Sequence, residues 1–338
     1  MTAVFCENAA DRNARTWENQ LAPFDCLEFA ISDGAKGIAK AVSQLAQTRR
    51  EDPEVPALEH GLDVFHTTME AKRVLAQYWR TAEAAWEKAE AADGEVARAK
   101  QQGIDARGLA RTASAAWGRA SASFEQAERL EVAWRRAHVA LDLFRADGQL
   151  NDRSHAQAEI AGALMDLTGA DWSKVRNFLN DSRSLSFLDR MQRRLELAEP
   201  DADWREAMAW RWWLVHRRVP CSDPLIRLVR GVGRECELDE SERARYDRVS
   251  AVLGDTFRAS SAVECMNSVL RMQQSRHKRM TQPMLDLKRL YWNCHRFRSG
   301  SRKKASPYEV LGLDLTTYDF WTLLRTDPRE LTQRLSNA

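Results

Sequence analysis

Two acidic residues stand in sequence contexts that suit metal-assisted chemistry. Asp33 follows the apolar run 26–31 and precedes a glycine, so we expect it at the carboxyl end of a strand, where open α/β sheets bind ligands. Glu264 follows Ser260 and Ser261, whose hydroxyls can cap the first N–H groups of a helix. Carboxylates are ligands that Mg²⁺ prefers. Two such ions about 4 Å apart can activate an attacking oxygen and stabilise a leaving one at a phosphate.

A purely structural interpretation of both residues stays open. Glu264 lies where the carboxylate of a capping box would close the start of its own helix. Asp33 is also typical of a turn residue, or of the cap of the helix that follows. The metal-binding interpretation requires the carboxylates of Asp33 and Glu264 to meet at one site, and the structural interpretation does not.

The elements around Asp33 are predicted to form a β–α–β unit. Residues 2–6 suit a short strand, residues 11–21 a helix and residues 26–31 a buried strand, which favours parallel or mixed pairing with a helix on the sheet. Gly34 allows a tight turn, and residues 38–45 have a helical pattern. Further on, Val64 and Phe65 are predicted as a short strand flanked by Asp63 and His66, with helix from Thr67 or Thr68. We expect Asp63 and His66 to form a hydrogen-bonded pair that secures the helical region to the sheet.

Residues 69–216 are predicted to be almost entirely helical. Ala, Glu, Lys and Arg dominate the first part, and apolar residues recur at helical spacing. A break over 103–108 separates two long helices, which predicts an antiparallel hairpin. Shorter helices are expected around 152–165, 172–180, 185–196, 204–216, 225–232 and 239–253.

Composition sets limits on the class of protein. The chain has 338 residues, 44% of them apolar, which suffices for a core and for two domains or one domain with a large insertion. Its six cysteines show no CxxC spacing, so reduced thiols are expected rather than disulfides or a zinc site. No apolar run approaches the roughly 18–20 residues that cross a bilayer, and residues 1–7 do not resemble a signal peptide. We therefore expect a soluble, cytoplasmic protein.

A strongly basic segment is hidden by the net charge of +2. Residues 271–304 contain eleven Lys or Arg residues against one acid, Asp286, with aromatic side chains among them. Such a segment predicts salt-dependent contact with nucleic-acid phosphates, although charged runs are also ordinary solvated faces. The eleven residues are Arg271, Arg276, Lys278, Arg279, Lys288, Arg289, Arg296, Arg298, Arg302, Lys303 and Lys304.

Several motifs in this order resemble bacterial insertion-sequence transposases of the DDE type. Residues 31–37 (ISDGAKG) are similar to the motif of the second catalytic acid, and residues 260–268 (SSAVECMNS) to the glutamate motif. Asp63-Val-Phe-His66 matches the C/D-x-x-H motif seen between the two in several such families. Arg271 falls seven residues after Glu264, where many members carry a basic residue, and residues 306–312 (SPYEVLG) resemble a common ending.

The resemblance implies an α/β fold with a large all-α insertion, predominantly helical overall, in which a ribonuclease-H-like sheet is interrupted by a helical domain. The implied domains are the first catalytic part (1–67), the helical insertion (68–220), the second catalytic part (221–313) and a tail (314–338). Asp33 and Glu264 would be catalytic metal ligands for Mg²⁺ or Mn²⁺, with Asp63, His66 and Arg271 auxiliary. The implied partner is DNA at transposon ends, with a homo-oligomer allowed and no membrane.

The chain departs from that family in one respect. A first acid is expected on an opening strand, and Glu7, Asp11 and Glu18 fall on the wrong elements. We therefore expect a truncated copy that has lost this acid and is inactive alone. The alternative is a non-enzymatic helical protein that binds DNA or another protein. A hydrolase triad is disfavoured, because no Gly-x-Ser-x-Gly elbow or supported Cys/His pair is present.

Overall fold

The computed structural model describes residues 11–52, 55–216, 237–259, 281–298, 303–313, 315, 317–327 and 329–330. The chain divides into two compact units, Leu21–Ala259 and Met1–Gln20 together with Ser260–Ala338. The described residues are predominantly helical with one small parallel sheet. The predicted strand over 2–6, the helix over 225–232 and Glu264 itself lie outside the described residues, and the ribonuclease-H-like sheet stays a prediction.

A β–α–β unit carries the sheet. Strand β1 (Phe29–Ser32) is followed by helix α2 (Lys36–Arg49) and strand β2 (Glu59–Leu62), after the short helix α1 (Ala14–Leu21). The strands are parallel, with Phe29 opposite Glu59 and Ser32 opposite Leu62. Val42, Leu45 and Leu58 form a small buried cluster beside the sheet, so the apolar face of α2 is what holds the crossover against the strands.

The prediction of a strand over Val64 and Phe65 is wrong. Both residues lie in the first turn of helix α3 (Val64–Gln101), and the second strand ends earlier, at Leu62. The cause is a helix cap: the Asp63 side chain accepts a hydrogen bond from the Phe65 N–H, which favours helix directly after Asp63 despite the β-forming residue types.

The predicted helical hairpin is confirmed. Helix α3 and helix α4 (Arg107–Ala140) flank a connection at 102–106, and Trp79 meets Phe124 while Trp86 meets Trp117, as antiparallel helices require. Toward the connection the interface is built from alanines, including Ala89, Ala116 and Ala120. Small side chains let the two helix backbones approach closely over this stretch.

The base of the hairpin is packed by the shorter helices of the same unit. These are α5 (Arg153–Leu164), α6 (Ser173–Asn180), α7 (Ser186–Ala198), α8 (Ala202–His216) and α9 (Glu240–Gly254). Their buried side chains, among them Val175, Met191 and Leu253, form one continuous core with α3 and α4. Glu199, 2% exposed, is bound by Arg245 and Arg248 and ties the end of α7 to α9.

The helical region is tied to the sheet by ion pairs. Arg190 and Arg193, both on α7, pair with Glu28 and Glu59 at the start of the two strands. The sheet and the helices from α3 to α9 therefore belong to one compact unit.

The described part of the other unit contains α1 except its last residue, and helices α10 (Gln282–Cys294), α11 (Pro307–Val310) and α12 (Phe320–Arg325). Ser306 and Glu309 form a capping box at the start of α11, and Gly312 has a φ of 66° just after its end. These features give a structural reason for the SPYEVLG pattern, since a cap and a left-handed glycine delimit a one-turn helix.

Candidate site at the carboxyl edge of the sheet

Asp33 lies at the carboxyl end of β1, as predicted. It follows Ser32 directly, and Gly34 turns the chain with a φ of 75°. One carboxylate oxygen accepts a hydrogen bond from the Ala35 N–H at 3.0 Å, and the side chain is exposed. The turn role predicted for Asp33 is thus present, but Asp33 does not cap α2, whose N-cap is Ala35. Among the residues that the structure describes, none donates a hydrogen bond to the other carboxylate oxygen of Asp33.

Asp63 occupies the equivalent position on the neighbouring strand. Since Ser32 pairs with Leu62, the residues that follow them share one edge of the sheet, and the Asp63 N–H donates to the Ser32 carbonyl at 2.8 Å. Its side chain is fully buried: one oxygen accepts from the Phe65 N–H at 2.8 Å and the other from Nδ1 of His66 at 2.7 Å. The hydrogen bond predicted between Asp63 and His66 is confirmed, and it fixes the start of α3 to the sheet.

A third segment reaches the same edge. The carbonyl of Arg258 accepts a hydrogen bond from the Val64 N–H at 3.0 Å. The Arg258 guanidinium donates to the Leu141 carbonyl and lies 3.4 Å from a carboxylate oxygen of Asp142. The chain that follows α9 is therefore anchored beside Asp63, just before the segment that contains Glu264.

A half-buried polar network lies behind this edge. Ser32 Oγ is 2.8 Å from Nε2 of His60, and Nδ1 of His60 is 3.2 Å from a guanidinium nitrogen of Arg183. Arg183 is held in turn by Asp181, with two of its nitrogens on the two carboxylate oxygens. The network joins both strands to the segment between α6 and α7.

The tautomer of His60 follows from its partners. Because a guanidinium can only donate, Nδ1 of His60 must accept, so Nε2 carries the proton and donates to Ser32 Oγ. Burial, reinforced by the Arg183 charge, lowers the pKa of His60 from 6.5 to about 4. His60 therefore holds Ser32 in place and is not arranged as a base that would activate it as a nucleophile.

The edge provides one carboxylate suited to a divalent cation. Asp33 is exposed and retains acceptor capacity, which suits an oxygen ligand of Mg²⁺. Asp63 does not fit as a ligand, because both its oxygens are engaged and its side chain is enclosed. The part of the chain described here contains no group of three or more His, Cys, Asp or Glu side chains that could hold a metal ion.

The basic segment is described in part. Arg296 makes a two-point ion pair with Glu309, and this bond lowers the pKa of Glu309. Arg289 lies 3.4 Å from Asp286. Lys288 is half-buried on α10, whereas Arg298, Lys303 and Lys304 are exposed. Arg271, Arg276, Lys278, Arg279 and Arg302 lie outside the described residues, as does Glu264.

The residues that the sequence did not single out are Ser32, His60 and Arg183. A strand of four residues gives too short an alternation to place His60, and Arg183 comes from a segment 123 residues away. Only the long-range packing of the segment before α7 on the sheet brings them together.

Comparison with protein-family models, with curated proteins and with solved structures finds no match to this chain. Over the described ranges, no helix is long and apolar enough to cross a membrane.

Proposed function

We propose that this chain is a DNA-binding relative of insertion-sequence transposases, in which Asp33 and Glu264 hold a divalent metal ion as in phosphoryl transfer, but which is inactive alone because a first catalytic acid is missing. The basic segment 271–304 supplies contacts to DNA phosphates. The observation that supports this function best is the parallel pairing of Ser32 with Leu62, since it puts Asp33 and the Asp63–His66 pair at one sheet edge.

Asp33 and Glu264 would hold Mg²⁺ or Mn²⁺, which polarises phosphate oxygens and lowers the pKa of bound water when present. Asp63 acts differently. Its buried carboxylate accepts from His66 and from the first turn of α3, so it orients the edge and anchors the helical region. The His66 side chain is 46% exposed, and its hydrogen bond to Asp63 fixes the orientation of its ring.

Binding of Mn²⁺ tests the proposal without requiring turnover. The free ion is followed by electron paramagnetic resonance for the full chain, for D33N, for E264Q and for D25N, which removes an exposed carboxylate elsewhere. Loss of one ligand is expected to weaken Mn²⁺ binding at least about tenfold in D33N and in E264Q, and D25N should bind as the unsubstituted chain does. Unchanged affinity in either of the first two variants would contradict the proposal.

A second function is supported by the hydrogen bonds themselves. One oxygen of Asp33 serves a turn, and both oxygens of Asp63 serve a helix start, as expected of a non-enzymatic helical protein that binds DNA or another protein. The Mn²⁺ experiment separates the two. A chain that binds DNA but shows no loss of Mn²⁺ binding in D33N and E264Q would belong to this second class.

A further inference from the structure

A basic groove runs along one flank of the α3–α4 hairpin. Its volume is about 550 Å³. The nine residues that line it include three cations and no acid, and they are Gln77, Arg80, Thr81, Ala84, Ala85, Lys88, Ala116, Arg119 and Ser123. The lining therefore has a formal charge of +3.

The three cations of this groove form no ion pair within the described ranges, whereas some other arginines of the same unit do, such as Arg136 with Glu159 and Arg153 with Asp189. Arg80, Lys88 and Arg119 are all exposed. Lys88 and Arg119 have only Ala or Ser three and four residues away on their own helices, so their positive potential is not neutralised locally.

The opposite flank of the hairpin has the reverse character. There the indole N–H groups of Trp79, Trp86 and Trp117 donate to the carboxylates of Glu131, Glu90 and Asp93. Three carboxylates of the hairpin are thus bound on the aromatic flank, whereas no acid lines the groove. This division of charge gives the hairpin one side that attracts anions.

We propose that this groove, called here the hairpin groove, binds the phosphodiester backbone of a nucleic acid. Its floor of Ala84, Ala85 and Ala116 offers no deep apolar pocket for the large anchor side chain that a protein partner would need. The groups it does offer are flexible cations, hydroxyls and one amide, which are the types that contact phosphates. Arg80 and Lys88 are eight residues apart, about 12 Å along the helix, which matches three or four nucleotides of one strand at about 3.4 Å each.

The hairpin groove lies on a different part of the chain from Asp33 and from the basic segment 271–304. Nucleic-acid binding there does not require that Asp33 and Glu264 hold a metal ion. The D33N and E264Q variants are therefore expected to keep the contribution of the groove to DNA affinity. A failure of the metal-site proposal can thus be distinguished from a failure of the groove proposal.

The test compares two triple variants of the full chain with equal change in charge. R80Q/K88Q/R119Q removes the groove cations, and R98Q/R111Q/R129Q removes three exposed hairpin arginines that do not line the groove and form no ion pair within the described ranges. Binding of a fluorescent DNA duplex is measured by anisotropy at several salt concentrations. Each lost phosphate contact lowers the slope of log K against log salt by about 0.9, so the groove variant should lose between about 1 and 3 in slope and about tenfold or more in affinity at low salt.

Equal affinities and slopes for the two variants would overturn the proposal. So would binding of polyglutamate as tight as binding of DNA at the same salt, because the groove would then be a site for an acidic polypeptide. Thermal melting followed by circular dichroism checks that both variants stay folded, as substitutions at exposed positions should allow. Chemical acetylation gives a local measurement: DNA should protect Lys88 and not Lys100, and equal protection of the two lysines contradicts groove binding.

Discussion

The half-buried His60 makes the stability of the fold sensitive to acid. Its pKa is lowered from 6.5 to about 4 in the folded chain, first by burial and then by the charge of Arg183. The unfolded chain therefore binds the proton more readily between these two values. The stabilisation by neutral His60 is fully present above about pH 6.5 and is lost as the pH falls toward 4.

The size of the effect follows from the two pKa values. Between pH 7 and pH 5 the free energy of unfolding should fall by about 2 kcal/mol through this residue alone. Chemical denaturation at a series of pH values measures it, with H60Q as the comparison because its amide does not titrate. His138, whose pKa is also lowered by burial, is unchanged in H60Q and cancels in the difference. If the two proteins lose stability in parallel from pH 7 to pH 5, the reasoning is refuted.

Two further substitutions test the packing. In G61A the new Cβ would lie 2.6 Å from a ring carbon of Phe29, so we expect a loss of about 1–3 kcal/mol in urea denaturation. G162A is its control and should be near neutral, because only the flexible end of an arginine must move; an equal loss in both would contradict the account. Glu199→Ala leaves two arginines without their acid. It should cost about 2 kcal/mol, less than the roughly 3–5 of a fully buried pair, because both guanidiniums keep access to water; a melting temperature unchanged from that of the parent would count against it.

The helices could be predicted from sequence because their signals are local. The alanine-rich composition, the repeat of aromatic residues at helical spacing and the glycine at 103 predict the hairpin, and its helices end at Gln101 and begin again at Arg107. The strand that precedes Asp33 can be predicted for the same reason, although the predicted range was 26–31 and the observed strand is Phe29–Ser32.

The start of α3 shows why the site was predicted only in part. Val64 and Phe65 have strand-forming side chains, but the side chain of the preceding Asp63 caps the Phe65 N–H and the helix begins at once. The Asp63–His66 hydrogen bond could be predicted because the two residues are close in sequence, although the turn between them is helical and not a strand. The partners of His60 were not, because Ser32 and Arg183 are 28 and 123 residues away and only the folded chain brings them together.

The most direct test of the central claim is a crystal structure with Mn²⁺ and a short DNA duplex, in which anomalous scattering locates the ion. The account predicts one ion with a carboxylate oxygen of Asp33 and one of Glu264 both within about 2.2 Å, the distance of a direct bond to a small divalent cation. An ordered Glu264 more than about 10 Å from Asp33, with no ion at the carboxyl end of β1, would contradict it.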